Sequence, residues 1–595
     1  MFVRSFSLAA TLIFAAVAPA LAGGPPPKIL HIAFNTAENG FDPAQLGDNT
    51  SLVLTAHLFE GLYGYDPLAR PAKLVPVSAS SMPEVSADFR TWTIRIKPGI
   101  RFADDPAFKG VPRELVAEDF VYSIKRYADP AVRSPLWSTI EQARFKGLLA
   151  LREEAIASKK AFDYDRPIEG LRAIDRHTLQ LKVEDPRPRL GMSLIGYSTN
   201  AVAREVVEFY GPAIAEHPVG TGPFRLAQWR RSSLIVLERN PLYRDDYYDA
   251  DPAPDDFEGQ AILKRLRGKR LPMVERVEAV ILEAGQPRWL AFVDGSLDQV
   301  TVPSEMVAQA MPGGKLAPYL EKLGVQAQVI LSQAVNFLYF NMEDPLVGGY
   351  TPDKVALRRA IGLGMDVERE IRIMRGGQAV VAHSPIAANL TGYDPAMRSE
   401  NGEYSPTKAK ALLDVFGYVD RDGDGWRERP DGTPLTLEMA TETDGNSRQY
   451  DELMQRNMKD IGLRIRFKVA QWPENAKAAR AGKLMMWAQG YGSTAPDGLA
   501  AIERLYGPAA GGANLSRFRL PAMDALYNRL LALPDGPERL QAFHEAKKLA
   551  VAYMPEKTTV HRVFSHMTQP WLVGYRPPIF GGRWFHFVDL ESARR

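Results

Sequence analysis

The 595-residue chain contains no cysteine. That excludes disulfides and thiolate metal sites, and it excludes a lipid-modified cysteine at an export cleavage site. Beyond residue 22 no apolar run reaches the roughly 20 residues a membrane-spanning helix needs, so the mature chain is expected to be soluble. Neither sign of charge dominates: 73 Lys and Arg stand against 71 Asp and Glu, a net charge of +2, and no basic stripe predicts a nucleic-acid partner. The chain also lacks His-Glu-x-x-His, Gly-x-Ser-x-Gly and any Gly-Lys-Ser or Gly-Lys-Thr. Without those constellations a zinc hydrolase, a nucleophile-elbow enzyme and a phosphate-loop ATPase have no support, and the chain is read as a non-enzyme. The nine histidines are scattered; His561 and His566 are near one another, but with opposite parity on an expected strand.

The N-terminus carries an export pattern. Arg4 gives a positive start, residues 8–18 are apolar, Pro19 breaks the run, and Ala20-Leu21-Ala22 suits a signal peptidase. Residues 1–22 therefore read as a cleaved signal peptide, and a periplasmic location follows. The remainder has the composition of a globular protein, 45% apolar and 24% charged, and its length predicts two or three domains.

Strands and helices alternate along the chain. Residues 28–34 read as a buried first strand and residues 51–59 as a short helix. Residues 90–102 read as a strand pair turning at Lys97-Pro98-Gly99: Trp92, Ile94 and Ile96 alternate with polar residues, and Ile100 and Phe102 resume the pattern. Residues 118–127 form an amphipathic helix, and Leu179, Leu181 and Val183 alternate again. A helix over 405–416 starts with the capping pair Ser405-Pro406. A strand over 435–439, a helix over 447–461 and a strand over 463–469 follow. The charged stretches 137–166 and 244–270 read as irregular surface insertions.

Six stretches carry a resemblance: Phe41-Asp42-Pro43; Leu58-Phe59-Glu60-Gly61-Leu62; residues 91–102 leading to Ala117-Glu118-Asp119-Phe120; Pro218 to Phe224 with Asn240-Pro241-Leu242-Tyr243; residues 355–366 ahead of Gly376-Gly377-Gln378; and Tyr404-Ser405-Pro406-Thr407-Lys408-Ala409. In this order, over nearly the whole mature chain, they resemble the periplasmic peptide- and nickel-binding proteins of ABC importers, extracellular solute-binding family 5. The resemblance implies an α/β, two-lobed periplasmic-binding-protein fold of type II, in its large three-domain variant, with a hinge. The first lobe would comprise residues 28–331 and 565–595, with an extra domain at about 50–217, and the second residues 332–564. The chain would cross between them near 332–337 and 560–564. It further implies a monomer that encloses a peptide or peptide-like small molecule by hinge closure. An inner-membrane permease with separate ATPase subunits would receive that ligand. A non-peptide ligand (an N-blocked compound, sugar, metal chelate or haem) and a sensor or chaperone role on the same fold remain open alternatives.

The resemblance also implies a cleft lined by Asn39, Gly40, Phe41, Thr221, Gly222, Trp472, Tyr491, Thr494 and Asp497. For the first five, turn formation and close backbone packing compete with ligand contact. Trp472, expected on the turn before a helix over 474–483, is either a stacking face or core. Peptide-binding members place an aspartate in a Gly-Trp-x-Ala-Asp-Tyr loop, where it holds the ligand ammonium. In the matching stretch Gly490 to Gly498, Tyr491 replaces the aromatic and Thr494 stands at the aspartate position, with Asp497 three residues on. A hydroxyl carries no charge. The departure opens the way to ligands without a free N-terminus.

Separately, Asp420, Asp422, Asp424, Gly425, Glu428 and Asp431 follow the 1, 3, 5, 6, 9, 12 spacing of a calcium loop. Asp431 is shorter than the usual bidentate glutamate, and a solvated acidic turn is the alternative. No other cofactor is expected.

Overall fold

The computed structural model describes residues 27–194 and 199–591. The signal-peptide reading of 1–22 lies outside the described residues.

The first strand, Ile29–Phe34, lies parallel to Arg276–Ile281. Leu234–Arg239 and Phe224–Arg230 extend that sheet antiparallel. Its inward residues Leu30, Ile32, Ile235, Leu237, Val277 and Ala279 are 2% exposed or less, the period-two burial that sets register in a half-covered sheet.

A second, antiparallel sheet runs Glu84–Val85, Thr91–Arg95, Thr178–Lys182, Leu171–Asp175. Trp92, Ile94, Leu179 and Leu181 face one core with Phe120, Val121, Ile124 and Tyr127 of the helix Ala117–Ala128. Glu118 and Asp119 in its first turn and Lys125 and Arg126 in its last complement the helix dipole. Residues 100–102 do not fold back on 92–96, as the strand-pair reading expected. Phe102 donates to the Arg113 carbonyl and Leu115 to that of Ile100, while Thr91–Arg95 takes Thr178–Lys182 as its partner. Alternation reports a buried face, and the partner is chosen over a long sequence separation.

The two supposed insertions are also ordered. Within 137–166 lie the helices Trp137–Ala143 and Leu148–Ser158, and Ile140, Leu148, Leu151 and Phe162 join the core beneath the second sheet. Within 244–270 lies Phe257–Leu266, which packs Leu263 and Leu266 beside Tyr248 and Ala250. Charge on their outer faces hid apolar residues at helical spacing.

Among the described residues the largest sheet has seven strands and reaches across both lobes. Its spine is a pair of long antiparallel strands, Gln326–Phe340 and Glu556–Thr568. Their register slips between Leu331 and Val335 and again between Val335 and Phe337, inside the segment assigned to the first crossing. Gln299–Thr301 pairs at one end of the second long strand; Met486–Gly492, Thr436–Thr441 and Arg464–Val469 continue the sheet on the other side. The helices Pro406–Val415 and Gly445–Asp460 pack here, the former capped by Ser405, whose hydroxyl accepts from Lys408 N. This is a mixed α/β fold of two lobes joined through shared strands. No described helix is long and apolar enough to cross a membrane.

Candidate functional site

A cleft of about 1100 Å³ opens between the lobes, lined from the first by residues such as Tyr65, Gln142 and Arg189 and from the second by residues such as Tyr491, Thr494 and Glu503. Its position follows from the sheet. The strand Met486–Gly492 pairs with the long strand at Val335↔Tyr491 and Ala334↔Gly492, so the chain leaves the sheet beside the register slip and enters the cleft as the loop 493–498. That loop is held from within and from below. Ser493 Oγ donates to the Ala495 carbonyl at 2.7 Å, and Thr391 donates through N and Oγ1 to the Pro496 carbonyl. Gly498 lies so close to Thr391 that a Cβ would sit 2.5 Å from its carbonyl oxygen, which explains the glycine.

The loop treats its two candidate anchors differently. Thr494 is exposed in the cleft. Asp497 is already clasped: Oδ1 accepts from Arg539 Nη2 at 2.8 Å and from Leu499 N at 2.8 Å, and Oδ2 lies 3.0 Å from Arg189 Nε. Arg539 is fully buried, stacks on Phe543, and also donates to the Leu530 carbonyl. Arg189 crosses from the other lobe. It donates to the Leu530 and Leu533 carbonyls at 2.7 and 3.0 Å and to Asp535 at 3.2 Å, and burial pushes its pKa down. Asp497 thus neutralises arginines, and its carboxylate is not open to a ligand. Tyr491 is set by Arg504, whose guanidinium lies 5.0 Å from its ring and 4.6 Å from that of Phe337.

Trp472 does not reach this cleft. It is the first residue of the helix Trp472–Arg480, 54% exposed, and lines a smaller hollow of about 520 Å³ together with residues 487–490, 6.3 Å from the Trp487 ring. It is therefore neither core nor part of the main cleft.

The five first-lobe candidates line neither cavity. Asn39 ties its own loop, accepting from Ser51 Oγ and donating its N–H to Asp48 and Ser51. Gly40 packs on Ala215 at a φ of 144°, and Phe41 is fully buried edge-on to Trp229. Next to them Asp42 holds Arg126 through two hydrogen bonds of 2.7 and 2.8 Å, both side chains buried. Thr221 donates to Glu60, which also receives Arg244 at 2.6 Å. A Cβ on Gly222 would meet the His57 carbonyl oxygen at 2.5 Å. These motif residues build the scaffold, and the packing alternative applies to them.

In the acidic loop, Asp420, Asp422, Asp424 and Glu428 come within 4.8 Å of one another, and among the described residues no other cluster has metal-ligand spacing. Asp431 stays out, accepting instead from Thr433 N and Oγ1. Asp420 accepts from Gly423 N and Gly425 N, Glu428 from Arg421 N, and Asp424 is paired with Arg464. Four of the five carboxylates of the calcium spacing thus come together, and position 12 is turned to Thr433. His561 and His566 are not a ligand pair. His561 is buried at the register slip, His566 meets Tyr575 Oη at 3.1 Å, and burial pushes each down to about 4.

Arg189, Arg539, Gln142 and Glu503 escaped the sequence reading. Each is an ordinary polar residue in its local context, and only their convergence marks them.

A cleft of this size between two lobes that share strands has the form of a small-solute binding site. The pattern of bacterial extracellular solute-binding proteins, family 5 Middle, matches residues 73–513. The chain belongs to family 5 of the bacterial extracellular solute-binding proteins. It is similar to di/tripeptide-binding protein 2 of Pseudomonas aeruginosa, 25% identical with 98% of each chain covered. Heme-binding protein A of Haemophilus influenzae is 22% identical, with 93% of this chain and 90% of that protein covered. Among solved structures, the periplasmic binding protein DppA of Helicobacter pylori in complex with the peptide STSA superposes with a TM-score of 0.70 at 19% identity, covering 95% of this chain and 99% of that one. These relatives are binding proteins, and the fold is that of the type II periplasmic peptide-binding proteins.

Proposed function

We propose that this protein is the periplasmic, monomeric receptor of an ABC importer, exported through a cleaved signal peptide. It takes a peptide or peptide-like solute into the cleft and delivers it to an inner-membrane permease with separate ATPase subunits. The lobes are 28–331 with 565–595, and 332–564. The observation that carries the reading is the cleft, about 1100 Å³, just above the roughly 300–1000 Å³ typical of small-molecule pockets and roomy enough for more than one amino acid. The di/tripeptide relative, matched from end to end, supports the same ligand class. A second reading, a non-peptide ligand, has its own support: Thr494 is uncharged and Asp497 is committed to two arginines. The test is mass spectrometry of whatever co-purifies with the mature protein, followed by calorimetry with di- and tripeptides. Recovered and rebinding peptides sustain the first reading; a defined non-peptide compound with no peptide binding transfers the function to that class.

A further inference from the structure

Five carboxylates line the main cleft: Asp66, Glu141, Asp185, Asp497 and Glu503. Asp66 accepts from three backbone N–H groups, those of Leu68, Ala69 and Asp251. Glu141 is exposed, and Asp185 lies in water, 3.8 Å from both Arg144 and Arg187. Asp497 is clasped by Arg189 and Arg539. Glu503 is different. It ends the short helix Leu499–Glu503, is half-buried, and accepts a hydrogen bond of 2.9 Å from the neutral amide of Gln142, with no cation on it. Burial alone pushes its carboxyl up. Beside it Tyr506 and Tyr527 stack with ring centroids 4.2 Å apart, and the Tyr527 hydroxyl is pushed up by burial first and then by Glu503's charge, with Arg187 opposing. Both tyrosines line the same cleft.

A desolvated carboxylate without a counter-ion is costly, and a cation-bearing ligand relieves that cost. Aromatic faces next to it add to the attraction for the same charge. We propose that Glu503 is the cation-binding residue of the cleft, taking an ammonium or guanidinium of the ligand between Gln142 and the Tyr506–Tyr527 pair. The proposal rests on the peptide-receptor reading above. Glu503 and Gln142 belong to opposite lobes, so a cation held there is enclosed as the lobes meet.

In a peptide that cation is the N-terminal amine or a Lys or Arg side chain, and calorimetry separates the two. The probes are a tripeptide with a free amine and uncharged side chains, its N-acetyl form as the neutral probe, and an N-acetyl tripeptide containing lysine. The full mature protein is expected to bind at least one cationic probe tenfold or more tighter than the neutral one. Glu503→Gln, which conserves shape, is expected to bind all three at the neutral level with its melting temperature kept, and Glu503→Asp to recover part of the preference. If the wild type binds the neutral probe as tightly as the cationic ones, or Glu503→Gln keeps the preference, the assignment is overturned while the peptide reading stands. If the wild type binds no peptide at all, both fall.

Discussion

At the scale of single residues, two positions three apart in one loop have opposite duties. Thr494 faces the cleft with a hydroxyl; Asp497 faces two guanidinium groups and is part of the structure. Their substitutions should therefore separate function from stability. Thr494→Asp is expected to tighten binding of free-amine peptides by about tenfold, the scale of one charge-assisted hydrogen bond, and to leave the N-acetyl forms unchanged by calorimetry. Asp497→Ala leaves the buried Arg539 with only the Leu530 carbonyl and a 3.3 Å contact to Asp535. Removing one partner of a buried pair costs about 3 kcal/mol, read as a lower urea midpoint of the second lobe. A loss of stability in Thr494→Asp equal to that in Asp497→Ala would contradict this division.

At the scale of elements, helix signals and buried faces carried further than pairing partners. Ser405 caps Pro406–Val415 as its sequence implied, and Ser405→Ala should cost about 1 kcal/mol in a denaturant titration. Strand partners depend on distant chain: Thr91–Arg95 pairs with residues more than eighty positions on. The acidic loop shows the same limit. Spacing presented it as a calcium loop, but Asp431 turned to Thr433 and Arg464 took Asp424. Excess calcium against chelator is expected to leave the melting temperature unmoved, and a rise with calcium would restore the metal reading.

At the scale of the molecule, the contact that matters is between lobes. Arg189 reaches from the first lobe to Asp497, Asp535 and the Leu530 and Leu533 carbonyls of the second. By bridging the lobes it favours their closed arrangement, and apparent affinity scales with the closed population. Arg189→Ala is expected to weaken binding of every ligand by a similar factor, about tenfold, chiefly through faster dissociation, and to raise the radius of gyration in small-angle scattering. Loss of one ligand class only would mean that Arg189 recognises the solute instead of holding the lobes.

The sequence by itself determined the class. Its family motifs are short local patterns of turns and caps, such as Ser405 at the head of Pro406–Val415, and steric rules act on neighbours in the chain. It also marked the loop 490–498 as cleft and Thr494 as a departure. Only the tertiary structure decided which residues serve the cleft. It moved Trp472 to a separate hollow, sent Asn39, Gly40, Phe41, Thr221 and Gly222 to the scaffold, and brought Gln142 to Glu503 and Arg189 to Asp497 across hundreds of residues. A charge's role depends on which opposite charge lies within a few ångströms, and that distance is a property of the folded chain.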